Sequence, residues 1–316
     1  MRIIILGLRR SGTTAFWRTW RQDERFACYD EPFNPFMVRA DDPNWNELPF
    51  MEKRLLWERD PKGFWDHFAS INRLDELRRG MSDHQQVYLE WLFESAEHVC
   101  VDVTRCHFKI ADLKQLAPDA VLIHLRRPPQ NWLTSIALPS STNMNRIKNP
   151  RLRMWRKFRK STRNLLSRRR FWEVQSGFGF HAYEEIMGTG PRSLFGYRLR
   201  EVGLDPELVC RLPLVGRLLA LWKLYGEEVE TQGAKHFKDH FISINFNAFC
   251  RSPEEAISQV YSRLGRKMPL LDFSAIHPPP PPFDPLAPQW RELFDATQID
   301  RKWLTDGLSP RKEYPL

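Results

Sequence analysis

Residues 2–14 read RIIILGLRRSGTT, and no other stretch restricts the fold as strongly. Ile3, Ile4, Ile5 and Leu6 form a short continuous apolar run closed by Gly7, the pattern of a strand buried on both faces. From Thr13 onward, Ala15, Phe16, Trp17 and Trp20 follow helical spacing. A doubly buried strand leading straight into a helix predicts a parallel sheet covered by helices on both sides. The connection has the outline of a phosphate-binding loop. Gly7 and Gly12 let the backbone curl so that successive N–H groups face one anion, and the following helix adds its positive end. Ser11, Thr13 and Thr14 add hydroxyls, and Arg9 and Arg10 add fixed charge. An ATP-using loop places a lysine directly after its second glycine to reach the outer phosphates. Here that position is Thr13.

Further strands are predicted at 26–29, 99–103, 121–125 and 241–246, separated by helical spacing over 47–96, 151–172 and 215–229. A stiff proline run at 278–282 precedes two short helices. The expected architecture is α/β: a three-layer sandwich with a central, mainly parallel sheet of about five strands, P-loop NTPase-like, with a helical insertion. The chain reads as one domain, 1–316, with a mobile helical insertion at about 139–195.

Charge and cysteine content narrow the class. The net charge is +9, and no acidic residue occurs between Asp119 and Glu173. Arginines and lysines interleave with Trp155, Phe158 and Leu165 across 146–170, a block suited to an anionic cofactor or an acidic membrane face. Peripheral membrane contact through 151–170 is therefore expected as an option. No nucleic-acid-binding module is recognisable, and no nucleic acid is expected. Five scattered cysteines without a CxxC pair argue against a disulfide framework or a zinc knuckle and fit a reducing compartment. No apolar run approaches the roughly 18–20 residues that span a bilayer, so a cytoplasmic location is expected.

The run Arg10-Ser11-Gly12-Thr13-Thr14 resembles the 5′-phosphosulfate loop of the sulfotransferases that use 3′-phosphoadenosine 5′-phosphosulfate (PAPS). That family's second motif, a strand ending in arginine with a serine eight residues on, is matched by the strand at 121–125, Arg127 and Ser135. A guanidinium forks two phosphate oxygens and the hydroxyl adds a further bond. A third, weaker match is Phe246-Asn247-Ala248-Phe249, followed by Ser252-Pro253 and Leu264-Gly265. The resemblance implies PAPS as donor, 3′-phosphoadenosine 5′-phosphate (PAP) as product, and no metal. Arg9, Arg10, Ser11, Gly12, Thr13, Thr14, Arg127, Ser135 and Phe246 would be the cofactor-binding residues, with Arg10 beside the leaving oxygen. Two features depart from the family: Ala15 replaces the tryptophan that many cytosolic members stack on adenine, and no Arg-Lys-Gly loop is visible near the end.

Sulfuryl transfer needs a base for the acceptor, and two residues at strand ends qualify. Glu31 lies in Tyr29-Asp30-Glu31-Pro32, where carbohydrate- and tyrosine-directed relatives place a glutamate, and His107 follows the third strand. Arg105 and Lys109 are expected to line the acceptor side or to pair with Asp102. The acceptor is a hydroxyl, or less readily an amine, of a sugar, lipid or small molecule. Two other readings stay open: a P-loop kinase with an unusual cradle, and a non-enzymatic basic protein binding membrane or nucleic acid through 146–170. Oligomeric state is left open.

Overall fold

The computed structural model describes residues 1–42, 55–137, 171–173, 181–279 and 281–306. Its five strands are β1 (Arg2–Leu6), β2 (Ala27–Asp30), β3 (Val99–Asp102), β4 (Val121–Arg126) and β5 (Phe241–Asn245). They lie in the order β2-β3-β1-β4-β5, and every neighbouring pair is parallel. The expected α/β class with a central parallel sheet is what the chain adopts.

The helices are α1 (Thr13–Trp20), α2 (Pro61–His67), α3 (Asp83–Glu94), α4 (Ile110–Leu116), α5 (Pro129–Ala137), α6 (His181–Met187) and α7 (Leu194–Glu201). They continue as α8 (Pro206–Arg211), α9 (Leu214–Phe237), α10 (Phe246–Arg251), α11 (Pro253–Arg263), α12 (Pro288–Ala296) and α13 (Lys302–Asp306). The described residues group into two compact units, one from Met1–Arg127 with Tyr225–Pro279, the other from Pro128–Leu224 with Pro280–Lys312.

In the first unit, the strand pleat sorts the isoleucine run onto two faces. Ile4 and Leu6 join a core with Leu89 and Leu92 of α3, Leu113 of α4 and Val229 of α9. Ile3 and Ile5 join the opposite core with Phe16, Trp17 and Trp20 of α1, Phe249 of α10 and Val260 and Tyr261 of α11. Burying each large side chain stabilises by about 1.5–3 kcal/mol, so the six-residue start of the chain is an anchor for both layers. Helix ends are set by local chemistry. Ser82 and Gln85 form a reciprocal capping box at the start of α3. Asn245 accepts from the N–H groups of Asn247 and Ala248 and so closes β5 and opens α10. That cap corrects the strand expected over 241–246, since Phe246 is the first residue of a helix.

The second unit is helical. Trp290 of α12 is fully buried against Phe171, Trp172 and Phe283, with its ring 4.9 Å from Trp172. The Thr134 hydroxyl of α5 accepts from the Phe283 N–H at 2.7 Å. Residues 43–54, most of the insertion expected at 139–195, and all of the basic block 146–170 lie outside the described residues. Among the described residues, no helix is long and apolar enough to cross a membrane.

Candidate active site

The chain leaves β1 toward β3 and β2, whereas it leaves β4 toward β5, on the other side. The topology therefore reverses between β1 and β4, and in open parallel sheets the crevice at the carboxyl ends of such strands takes the ligand. The residues at those two ends are the loop 7–14 and Arg127.

The loop folds tightly. The Ser11 N–H donates to the Leu8 carbonyl at 2.8 Å, and the Gly12 carbonyl accepts from Ala15 and Phe16. Gly12 is the N-cap of α1 in the left-handed region, φ 97°, and no side chain caps the helix there. The helix has no acidic residue in its first turn. Its leading N–H groups and positive dipole end are thus left for an external anion. Two glycines make the curl feasible. A Cβ on Gly7 would come within 2.6 Å of the Leu125 carbonyl oxygen, and one on Gly12 within 2.0 Å of the Phe246 ring. Ser11 and Thr13 are buried, Thr14 is half-buried and Arg10 is exposed. Arg10 itself is left-handed, φ 73°, a conformation that costs a residue with a Cβ about 1–2 kcal/mol.

Arg127 braces that strained residue. Its Nη1 donates to the Arg10 carbonyl at 2.9 Å, and its guanidinium lies 5.3 Å from the centre of the Phe246 ring. Arg127 is 7% exposed, and burial together with the neighbouring Arg10 charge pushes its pKa down to about 10. A buried guanidinium with a second arginine beside it at an uncapped helix end makes a site that an anion stabilises. Phe246 belongs to the core, where it supports both Gly12 and Arg127. Ser135 lies on α5 in the second unit, and its hydroxyl donates to the Trp132 carbonyl at 2.7 Å.

Arg9 turns elsewhere. Its Nη1 donates to Glu76 Oε2 at 3.2 Å and its Nη2 to Glu76 Oε1. Arg105 joins the same carboxylate at 2.6 Å, while Lys109 Nζ donates to the carbonyls of Asp75 and Arg78. Glu76, fully buried, is the residue that sequence reasoning missed. In the sequence it stands in Arg73-Leu74-Asp75-Glu76-Leu77-Arg78-Arg79, one charge among several within the stretch 47–96 read as helical.

Glu31 follows β2 directly. It too is left-handed, φ 44°, held by its N–H to the Asp102 carbonyl at 2.9 Å and by the Asn34 N–H to its own carbonyl at 3.0 Å. Asn34 Nδ2 donates to Glu31 Oε2 at 2.7 Å, and the carboxylate is half-buried. A strained backbone that aims one oriented carboxylate at a strand's carboxyl end suits proton abstraction. His107 is buried, its two ring nitrogens make no hydrogen bond, and its ring meets Tyr225 edge-on at 4.6 Å. Burial first, then the charges of His124, Arg9 and Lys109, hold its pKa well below the ordinary histidine value. His107 is therefore neutral.

A family model described as "Sulfotransferase family" matches residues 2–175, more than half of the chain. The fold is similar to a sulfotransferase from Alicyclobacillus acidocaldarius at 13% identity and TM-score 0.43, covering 96% of this chain and 94% of that one. It is also similar to sulfotransferase STF1 from Mycobacterium tuberculosis H37Rv, at 12% identity and TM-score 0.38, covering 98% and 76%. A sulfotransferase domain from the curacin biosynthetic pathway aligns at 13% identity and TM-score 0.43, covering 94% and 97%. No curated protein matches the sequence.

Proposed function

The chain belongs to the sulfotransferase family, and from that premise we propose that it moves a sulfuryl group from PAPS to a hydroxyl, less readily an amine, of a sugar, lipid or small-molecule acceptor. The observation that carries this reading is the pair Arg10 and Arg127 around the uncapped N-terminus of α1, closed beneath by Gly12 and Phe246. The cradle fits a 5′-phosphosulfate. The backbone of 10–14 and the hydroxyls of Ser11, Thr13 and Thr14 would hold its oxygens, and Arg127 the 3′-phosphate. PAPS supplies the activated sulfuryl group and departs as PAP.

Each protein group then has a definable task. Arg10 carries the charge that stabilises the oxygen of the leaving phosphate, the kind of preorganised electrostatic contribution that dominates many transfer reactions. The strain at Arg10 is sustained by Arg127, so the charge is in place before the ligand arrives. Glu31 takes the acceptor's proton as the acceptor oxygen bonds to sulfur, and Asn34 keeps the carboxylate aimed. His107 is the second candidate for that proton; its neutral ring can accept one, but its burial leaves an acceptor little access. No metal is needed in this reading, and peripheral membrane contact through 151–170 remains part of the proposal for a lipid-borne acceptor.

Calorimetry with PAP in the absence of metal, against ATP with magnesium, tests the class of ligand. Tight PAP binding without metal is expected. Preference for ATP with magnesium overturns the reading in favour of a kinase.

A further inference from the structure

The loop holds two adjacent arginines, and the structure treats them oppositely. Arg10 is exposed at the anion cradle, whereas Arg9 forks inward onto Glu76, with both terminal guanidinium nitrogens engaged. Glu76 is 0% exposed and is shared with Arg105, whose Nη1 also donates to the Ile71 carbonyl at 3.3 Å. The turn carrying Glu76, Asp75–Leu77, is held by Lys109, which donates to the carbonyls of Asp75 and Arg78 at 2.8 Å each. Lys109 is 1% exposed, so the scaffold behind Glu76 is itself enclosed.

Buried carboxylates are costly unless several donors satisfy them, and a fork of this kind fixes orientation as well as charge. The consequence falls on the next residue. The strained Arg10 is gripped from both ends: the Arg9 side chain is tied down immediately before it, and Arg127 holds its carbonyl immediately after it.

We propose that Glu76 is a positioning residue for the anion cradle: through Arg9 it fixes the loop so that Arg10 and the N–H groups behind it face the 5′ group of the nucleotide. Arg9 in this scheme does not touch the ligand. The inference rests on the sulfotransferase reading above, and it goes beyond that reading by assigning function to a residue remote from the loop in sequence.

Two ligands separate local positioning from general damage: PAP, which carries the 5′-phosphate, and adenosine 3′-phosphate, which lacks it. Their dissociation constants are measured by calorimetry for the wild type, Glu76→Gln and Arg9→Met. Arg9→Met leaves Glu76 paired with Arg105, so it keeps the test available if Glu76→Gln does not fold. The wild type is expected to prefer PAP; an equal affinity for the two ligands refutes the cofactor reading itself and the positioning role with it. Given that preference, both variants are expected to lose about tenfold or more for PAP, the scale of a hydrogen bond to a charged group, and less than threefold for adenosine 3′-phosphate. If Glu76→Gln binds PAP as well as or better than the wild type, Glu76 merely competes for an Arg9 that contacts the ligand, and the proposal is overturned. It is likewise overturned if both ligands weaken equally, because Glu76 then supports only the fold.

Discussion

Two turns at the carboxyl edge of one sheet, 7–14 after β1 and 31–34 after β2, solve the same problem by different means. Each places a non-glycine residue in the left-handed region, Arg10 at φ 73° and Glu31 at φ 44°. The cationic turn is braced from several sides: Gly12 packs on Phe246, Arg127 holds the Arg10 carbonyl, and Arg9 is forked onto Glu76. The anionic turn is held by the Asp102 carbonyl and by the main chain and side chain of Asn34. A cradle that binds an anion mainly through backbone must fix many atoms at once. A base needs one oxygen at the right place, and a single amide can aim it.

The largest expected effect strikes the anionic turn. Glu31→Gln keeps the Asn34 contact within reach but removes the proposed proton acceptor. Turnover should fall by about 10²–10⁴, with PAP affinity unchanged, as steady-state kinetics and calorimetry would show. Full activity in Glu31→Gln together with a collapse in His107→Ala would exchange the two roles. At the cationic turn, Arg10→Ala should lower the rate by about 10²–10³, the loss seen when one preorganised donor is removed. Near-wild-type turnover in that variant would break the assignment of Arg10.

Gly12→Ala tests the frame rather than the charge. The left-handed φ and the Phe246 ring together should cost about 2–5 kcal/mol, visible as a lower melting temperature and weak PAP binding. An unchanged melting temperature would mean that the aromatic floor yields freely. Truncating Asn34 to alanine should be milder. It removes one aiming contact from Glu31, so turnover should drop by roughly tenfold, the worth of one hydrogen bond, while PAP affinity stays.

The smallest effect concerns His107 and stability. Its folded-state pKa is depressed, so below the ordinary value of 6.5 the unfolded chain binds a proton that the folded chain refuses. Stability from this group is complete above that value and is lost progressively as pH falls from it toward the depressed folded value. His107→Phe should therefore flatten the acid side of the stability curve, as urea titrations at pH 5 and pH 7.5 would reveal. An unchanged pH slope would show that His107 takes up its proton while folded.

The contrast between the turns also explains what the sequence discloses. The cradle is legible because its demands fall on backbone: two glycines at fixed spacing, a doubly apolar strand before them and helical periodicity after. The three inner strands β1, β3 and β4 are legible because doubly buried strands are continuous apolar runs. Arg127 is legible through its place at a strand end. Glu76 is not, since nothing local distinguishes a carboxylate destined for burial from one in a solvated turn; its partners lie 67 and 29 residues away. Phe246 reads as the last residue of a strand because its hydrophobicity continues the run, and only the Asn245 cap shows the helix beginning there. Asn34 reads as an ordinary turn residue, although its side chain both opens the turn at Pro35–Arg39 and orients Glu31.

The strand order has a consequence for how the chain is made. β1 occupies the middle of the sheet, and its partners are β3 at residues 99–102 and β4 at 121–124. During synthesis β1 leaves the ribosome before either of its partners, and its second edge stays open until β4 has been made. For roughly six to twenty-four seconds at 5–20 residues per second, Ile3, Ile4 and Ile5 present an apolar ribbon with unmet backbone groups. Pairings this remote in sequence are slow to form. The same three isoleucines that anchor the finished sheet form, in the nascent chain, an adhesive segment, and the flanking Arg2 and the Arg9-Arg10 pair bracket them with charge at both ends.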